Sequence, residues 1–173
     1  RICEVKWLWY ISEGKRVVVL FIGDIVGEPG RRVITSKLQK VIETHHVDLI
    51  VGNGENVAGG FGITIELAGD LFDLGLSVIT TGNHAWDKKE ILEFFCKEPR
   101  LLRPANYPEG TTGQGAIVLD LPSGETIGIL QLMGRAFMPT LDCPFQVARR
   151  ELPELQKRAK SIICLLYTSD AAD

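Results

Sequence analysis

Val17-Val18-Val19-Leu20-Phe21-Ile22-Gly23-Asp24 is an unbroken apolar run that stops on a glycine and an acid. Such a run, rich in β-branched residues and lacking alternation, suits a central parallel strand covered on both faces. The next residues make a turn around Glu28-Pro29-Gly30. Ile34, Leu38, Val41 and Ile42 then recur at helical spacing, with Lys37, Gln39, Lys40 and Glu43 left for water. Asp48-Leu49-Ile50-Val51-Gly52 repeats the strand pattern. A glycine-rich loop follows (Gly54, Gly59, Gly60, Gly62), then a helix from about Thr64 to Leu74 with Asp70 and Asp73 outward. Leu76 to Thr80 reads as a third strand. Strand, helix, strand, helix, strand predicts βαβ crossovers on one parallel sheet.

Beyond the third strand the pattern changes. Asp87 and Glu90 stand at capping-box spacing before the apolar stripe Ile91, Leu92 and Phe95, with Phe94 and Phe95 expected in the core. Ala116 to Leu121 and Thr126 to Leu132 flank Pro122-Ser123-Gly124-Glu125, which predicts a hairpin. A last helix is expected over Gln146 to Lys160, kinked or started at Pro153. No internal repeat, low-complexity tract or linker is visible.

Composition narrows the function classes. The 173 residues are enough for one domain, and 45% hydrophobic with 24% charged residues is ordinary for a soluble globular chain. A net charge of -3 offers no basic field for an extended nucleic-acid groove, so a nucleotide would need a local site. The apolar stretches are too short to span a membrane. Cys3, Cys96, Cys143 and Cys164 show neither metal-binding spacing nor a disulfide framework, so a reducing cytoplasm is the expected setting.

The two ends read differently from the middle. Arg1 to Lys15, with Trp7-Leu8-Trp9-Tyr10, follows no period and is expected to be non-native or upstream sequence. Cys164-Leu165-Leu166-Tyr167-Thr168-Ser169-Asp170-Ala171-Ala172-Asp173 reads as the translation of a sequencing adapter and is expected to pack poorly. The domain proper is thus placed at 16–163, as an N-terminal fragment whose C-terminal part is missing. An early-ending sheet leaves an open edge, which invites self-association into a homo-oligomer.

The candidate chemistry lies where the three strands end. Gly23-Asp24, Gly54-Glu55-Asn56 and Gly82-Asn83-His84 each follow a strand with a glycine and groups able to ligate a metal. Loops leaving the carboxyl edge of a parallel sheet converge on one crevice. Two carboxylates, two carboxamides and an imidazole form a hard-to-borderline ligand set suited to Mn, Fe or Zn. Asp24 by itself is equally a turn aspartate, whereas Glu55 at the end of a buried strand calls for a compensating cation. His45 and His46, at a helix end, carry no such signal. Trp86 is expected to pack under its loop. No Lys-Ser or Lys-Thr follows these glycines, which excludes a phosphate-cradling P-loop. Val57 stands where a dinucleotide fingerprint needs its third glycine.

Taken together, Phe21-Ile22-Gly23-Asp24, Asn53-Gly54-Glu55-Asn56, Gly82-Asn83-His84, Arg103-Pro104-Ala105-Asn106-Tyr107-Pro108-Glu109-Gly110 and Gly134-Arg135 resemble the YmdB-like branch of the metallophosphoesterase superfamily. The resemblance runs from about Val18 to about Lys160. No histidine stands two residues after Asp24, which departs from the wider superfamily but fits this branch. The resemblance implies an α/β layered sandwich of parallel βαβ units followed by a hairpin. It implies two divalent metal ions, iron or manganese, that activate a hydroxide to hydrolyse 2′,3′-cyclic nucleotides, small phosphodiester substrates. Asp24 would bind one metal, Glu55 would bridge both and Asn83 would bind the second. Asn56 would sit beside the bridge, His84 would act on the substrate, and Arg135 would contact phosphate. Family members supply three further histidines from their C-terminal half, whereas the histidines of this chain are His45, His46 and His84. Low activity of the chain by itself is therefore expected. A second functional class stays open, a non-catalytic regulatory protein that binds nucleotide or RNA in the same pocket.

Overall fold

The computed structural model describes residues 5–12, 15–136, 138 and 140–168. The chain divides into two compact units, one ending at Phe94 and the other beginning at Phe95.

In the first unit, β1 (Val5–Ser12) is followed by β2 (Lys15–Asp24), α1 (Gly27–His45), β3 (Leu49–Asn53), α2 (Ile65–Asp73) and β4 (Val78–Thr80). Strands β2, β3 and β4 are parallel neighbours in that order. The expected βαβ units are thus present, with their loops leaving one edge. The strand interiors are dry, as their unbroken apolar runs require: Val17, Val19, Leu20, Leu49, Val51, Val78 and Ile79 are all buried. Ile34 and Leu38 of α1 and Ala68 and Leu71 of α2 supply the helical side of this core. Each fully buried Val, Leu or Ile among them contributes roughly 1.5–3 kcal/mol through burial.

The helix ends follow from local chemistry. Thr64 caps α2, its hydroxyl accepting from the Leu67 N–H at 3.2 Å. Helix α1 ends on His46 in the left-handed region, φ 52°, and both His45 and His46 are exposed. They are helix-end residues, as expected.

Val5–Ser12, which follows no hydrophobic period, is a full strand paired antiparallel with β2, from Val5 opposite Ile22 to Ser12 opposite Lys15. Aromatic and β-branched residues favour extended backbone without needing strict alternation. The exposed flank of β2 supplies the partner.

Helix α3 (Ile91–Lys97) lies at the boundary, with Ile91 and Phe95 buried and Phe94 half-buried. The expected capping box does not form there. The helix begins at Ile91, four residues after Asp87, and the Ile91 N–H bonds to the Lys88 carbonyl at 3.1 Å. The Asp87 carboxylate is engaged by His84.

The second unit comprises β5 (Leu101–Leu102), β6 (Ala116–Asp120), β7 (Thr126–Met133), α4 (Pro144–Gln156) and β8 (Ser161–Tyr167). The hairpin is as predicted: β6 and β7 are antiparallel, and Gly124 takes the positive φ of 81° that the turn demands. Helix α4 begins earlier than expected because Pro144, lacking an N–H, suits its first turn, and Pro153 lies inside it. Its Val147 and Leu155 pack with Leu130 and Leu132 of β7.

Strand β8 was not expected. It pairs in parallel with β7, and the ladder continues past Ile163 through Cys164 opposite Leu130 to Tyr167 opposite Met133. Regular structure therefore crosses the boundary set at 163. Backbone pairing does not require a buried side chain, and no residue from Cys164 to Thr168 is buried. Residues 169–173 of the proposed tail lie outside the described residues.

Candidate active site

The parallel register sets one row of residues across the first unit. Asp24 of β2 is aligned with Asn53 of β3, and Asn53 with Thr80 of β4. The ladder extends past the strands, with the Ile25 N–H bonded to the Asn53 carbonyl at 3.0 Å and the Gly54 N–H to the Thr80 carbonyl at 2.9 Å. Glu55 and Asn56 leave from the middle of this row, and Asn83 and His84 leave from beside it. All five predicted residues of this unit thus stand at the carboxyl edge of one parallel sheet.

Strand β2 contains a register shift. Ile22 pairs with Gly52 and Asp24 with Asn53, so Gly23 is an extra residue in the ladder. A bulge of this kind re-aims the side chain that follows it. Here that side chain is Asp24. Its Oδ2 accepts from Asn56 Nδ2 at 2.9 Å, joining two strand ends 32 residues apart. The Asn56 main chain is fixed independently, since its carbonyl accepts from the Gly27 and Gly60 N–H groups, each at 3.0 Å.

Glu55 is wholly buried, 0% exposed. Its backbone N–H donates to Asn53 Oδ1 at 3.0 Å, a local turn that commits the chain direction at the end of β3. Gly54 is needed because a Cβ there would meet Ile79 Cγ2 at 2.9 Å and Ile63 Cδ1 at 3.1 Å. Glu55 thus follows a backbone position closely packed by aliphatic groups, and its own burial makes charge costly without compensation.

Asn83 and His84 are half-buried. His84 Nδ1 lies 2.6 Å from Asp87 Oδ2, and its imidazole meets the Phe61 ring edge to face, with centroids 5.2 Å apart. The imidazole is thus held from two sides. Among the described residues no three of His, Cys, Asp and Glu are gathered closely enough to hold a metal ion. The donor set at this edge is two carboxylates with carboxamide oxygens. Arg135 belongs to the second unit, where it is exposed after β7 and its carbonyl accepts from the Met138 N–H at 3.3 Å. Trp86 is half-buried, in keeping with packing against its loop.

A divalent ion fits this edge on one structural observation. Asn56 Oδ1 is shielded from solvent and has no hydrogen-bond partner among the described residues, while Nδ2 of the same group is committed to Asp24. A buried carboxamide oxygen without a donor is suited to a cation. Carboxylate and carbonyl oxygens together suit hard ions such as Mn.

Three contributors were not singled out from the sequence. Asp87 was read as a cap, although its position three residues after His84 in a tight turn permits the contact. Phe61 is the lone aromatic in a glycine-rich loop. Arg31 Nη1 donates to the Val57 carbonyl at 2.6 Å, tying α1 to the loop that carries Glu55 and Asn56. That last contact has no local signal.

Comparison with known proteins shows the family. The model of the YmdB-like protein family matches residues 20–172, and the chain belongs to that family. A 2′,3′-cyclic-nucleotide 2′-phosphodiesterase of Bacillus subtilis is 42% identical over 144 residues, covering 83% of this chain and 54% of that protein. A hypothetical protein from Thermus thermophilus superimposes with a TM-score of 0.80 at 37% identity, covering 88% of this chain and 58% of the other. A novel phosphatase from Mycoplasma pneumoniae does so with a TM-score of 0.79 at 25% identity, covering 96% and 57%. The fold is accordingly the α/β type of the metallophosphoesterases. The chain spans about half the length of the curated relatives it matches.

Proposed function

We propose that this chain carries part of the active site of a metal-dependent phosphodiesterase that hydrolyses 2′,3′-cyclic nucleotides. The observation that supports it most is the Asp24–Asn56 pair beside the buried Glu55, with Asn56 Oδ1 left open to a cation. Asp24, Glu55 and Asn83 would hold two divalent ions, iron or manganese. When bound, such ions would supply Lewis acidity toward water and the phosphate charge.

The protein groups supply position and proton transfer. Asn56 Nδ2 holds the Asp24 carboxylate in one orientation, which the bulge at Gly23 has already aimed. Asp87 takes up Nδ1 of His84 and leaves Nε2 as the atom that passes a proton. Water loses a proton to solvent as its oxygen adds to phosphorus, one P–O ester bond of the cyclic phosphate breaks, the departing ribose oxygen takes a proton from protonated His84, and His84 is recharged from solvent. The free thiols Cys96, Cys143 and Cys164 accord with a reducing, cytoplasmic setting.

Further histidine ligands are expected from the remainder of the longer family members, so this chain by itself should turn over slowly. The test is hydrolysis of 2′,3′-cyclic AMP with added Mn²⁺, by this chain and by a full-length member carrying it. We expect the full-length protein to be active and Glu55→Gln to abolish its activity. A full-length Glu55→Gln variant with normal turnover refutes the assignment.

A further inference from the structure

Phe61 is the least expected residue near the candidate site. It is 60% exposed, yet its backbone is not loose. The Ala58 N–H bonds to the Gly62 carbonyl at 3.0 Å, the Phe61 N–H to the Ala58 carbonyl at 3.5 Å, and the Gly60 N–H returns to the Asn56 carbonyl at 3.0 Å. Gly59, Gly60 and Gly62 take φ of 72°, 100° and 75°, a conformation that residues with a Cβ adopt only under strain. At Gly62 a Cβ would also lie 3.1 Å from Asp87 Cβ and 3.2 Å from Lys88 Cγ. The loop is therefore locked onto the turn that carries His84, and it holds a large apolar ring out in water.

An edge-to-face contact occupies at most one face of a ring. Packing on His84 at 5.2 Å thus leaves Phe61 with a free face beside the imidazole. Flat aromatic partners stack on such a face, and every nucleobase offers one, with preferences set by stacking strength. We propose that Phe61 contacts the base of the nucleotide, stacking on it while the phosphate lies over Asp24, Glu55 and Asn83. This rests on the nucleotide reading of the site given above. It assigns Phe61 a role in binding and specificity, outside the bond-breaking step. Stacking strength grows with ring area, so purine nucleotides should bind better than pyrimidine ones.

The test is a calorimetric titration of this chain, in Mn²⁺, with adenosine and uridine 2′,3′-cyclic phosphates. The base-free control is the 2′,3′-cyclic phosphate of 1-O-methylribose. Phe61 is exposed, so Phe61→Ala should fold normally, and far-ultraviolet circular dichroism checks it. Phe61→Ala should weaken adenosine nucleotide binding about tenfold, abolish the purine preference and leave the base-free compound unchanged. Phe61→Tyr should retain both. Equal weakening of nucleotide and base-free compound would mean that the ring only braces His84, and it would overturn the proposal. Unchanged nucleotide affinity in Phe61→Ala would overturn it too, with the nucleotide site left standing. If a full-length member carrying this chain, titrated in the same way, bound none of the three compounds, the nucleotide reading would fall together with the stacking role.

Discussion

Replacing Asn56 by aspartate should turn the strand-end pair from attraction to repulsion, and only a cation should reverse it. Asn56 Nδ2 donates to Asp24 Oδ2 at 2.9 Å. A hydrogen bond to a charged group is worth about 1.5–3 kcal/mol. The substitution removes it and sets a second carboxylate against Asp24, beside the buried Glu55. If the two carboxylates relax to about 5 Å apart, Coulomb repulsion at an effective dielectric of about 20 adds roughly 3 kcal/mol. The main chain supplies no escape, because the Asn56 carbonyl stays bonded to Gly27 and Gly60. Asn56→Ala loses the hydrogen bond alone. In chelator the order of stability should be wild type, Asn56→Ala, Asn56→Asp. For a chain of this size the resulting loss of about 5 kcal/mol lowers Tm by roughly 10–20 °C. Excess MnCl₂ should raise the Tm of Asn56→Asp more than that of wild type, since a ligand that binds only the folded state stabilises it. Circular dichroism melts in both buffers read this directly. An Asn56→Asp variant as stable as wild type in chelator, or one with no larger response to Mn²⁺, would refute the electrostatic account of this edge.

Two further outcomes concern the second unit. Asn106 is fully buried, donates from Nδ2 to the Met133 and Asp142 carbonyls at 2.8 and 3.0 Å, and accepts the Met133 N–H at 2.9 Å. Asn106→Leu should cost about 3 kcal/mol or more, because it strands buried backbone groups of Met133; an unchanged urea midpoint would contradict this. Arg100 holds the Glu98 carboxylate below its usual pKa, through side-chain hydrogen bonds at 2.8 and 2.7 Å. A depressed carboxylate stabilises the fold above its unfolded pKa, about 4.3, and loses that contribution as pH falls through the lower folded value. Glu98→Gln should therefore destabilise the chain at pH 7 by no more than about 1 kcal/mol, since Arg100 is 42% exposed and solvent screens the pair. The difference should vanish in melts well below pH 4, and a deficit that persisted there would reject the ion-pair origin.

The sequence by itself determined the β2–α1–β3–α2–β4 order, the hairpin and the edge at which the chemistry gathers. Those features are local. A strand buried on both faces must be apolar throughout, and a glycine must follow where the chain turns through packed aliphatic side chains, as at Gly54. Parallel crossovers then place Asp24, Glu55 and Asn83 at one edge whatever lies between them. Only the tertiary structure decided which groups touch. The bulge at Gly23 depends on the register of β2 against β3, and the Asn56–Asp24 bond depends on that bulge. The engagement of Asp87 by His84, where a helix cap was expected, depends on how tightly the loop after β4 turns. Strands β1 and β8 escaped the reading for the same reason. Hydrophobic periodicity reports the burial of a segment's own side chains. Their pairing depends on the open flanks of β2 and β7, which belong to other parts of the chain.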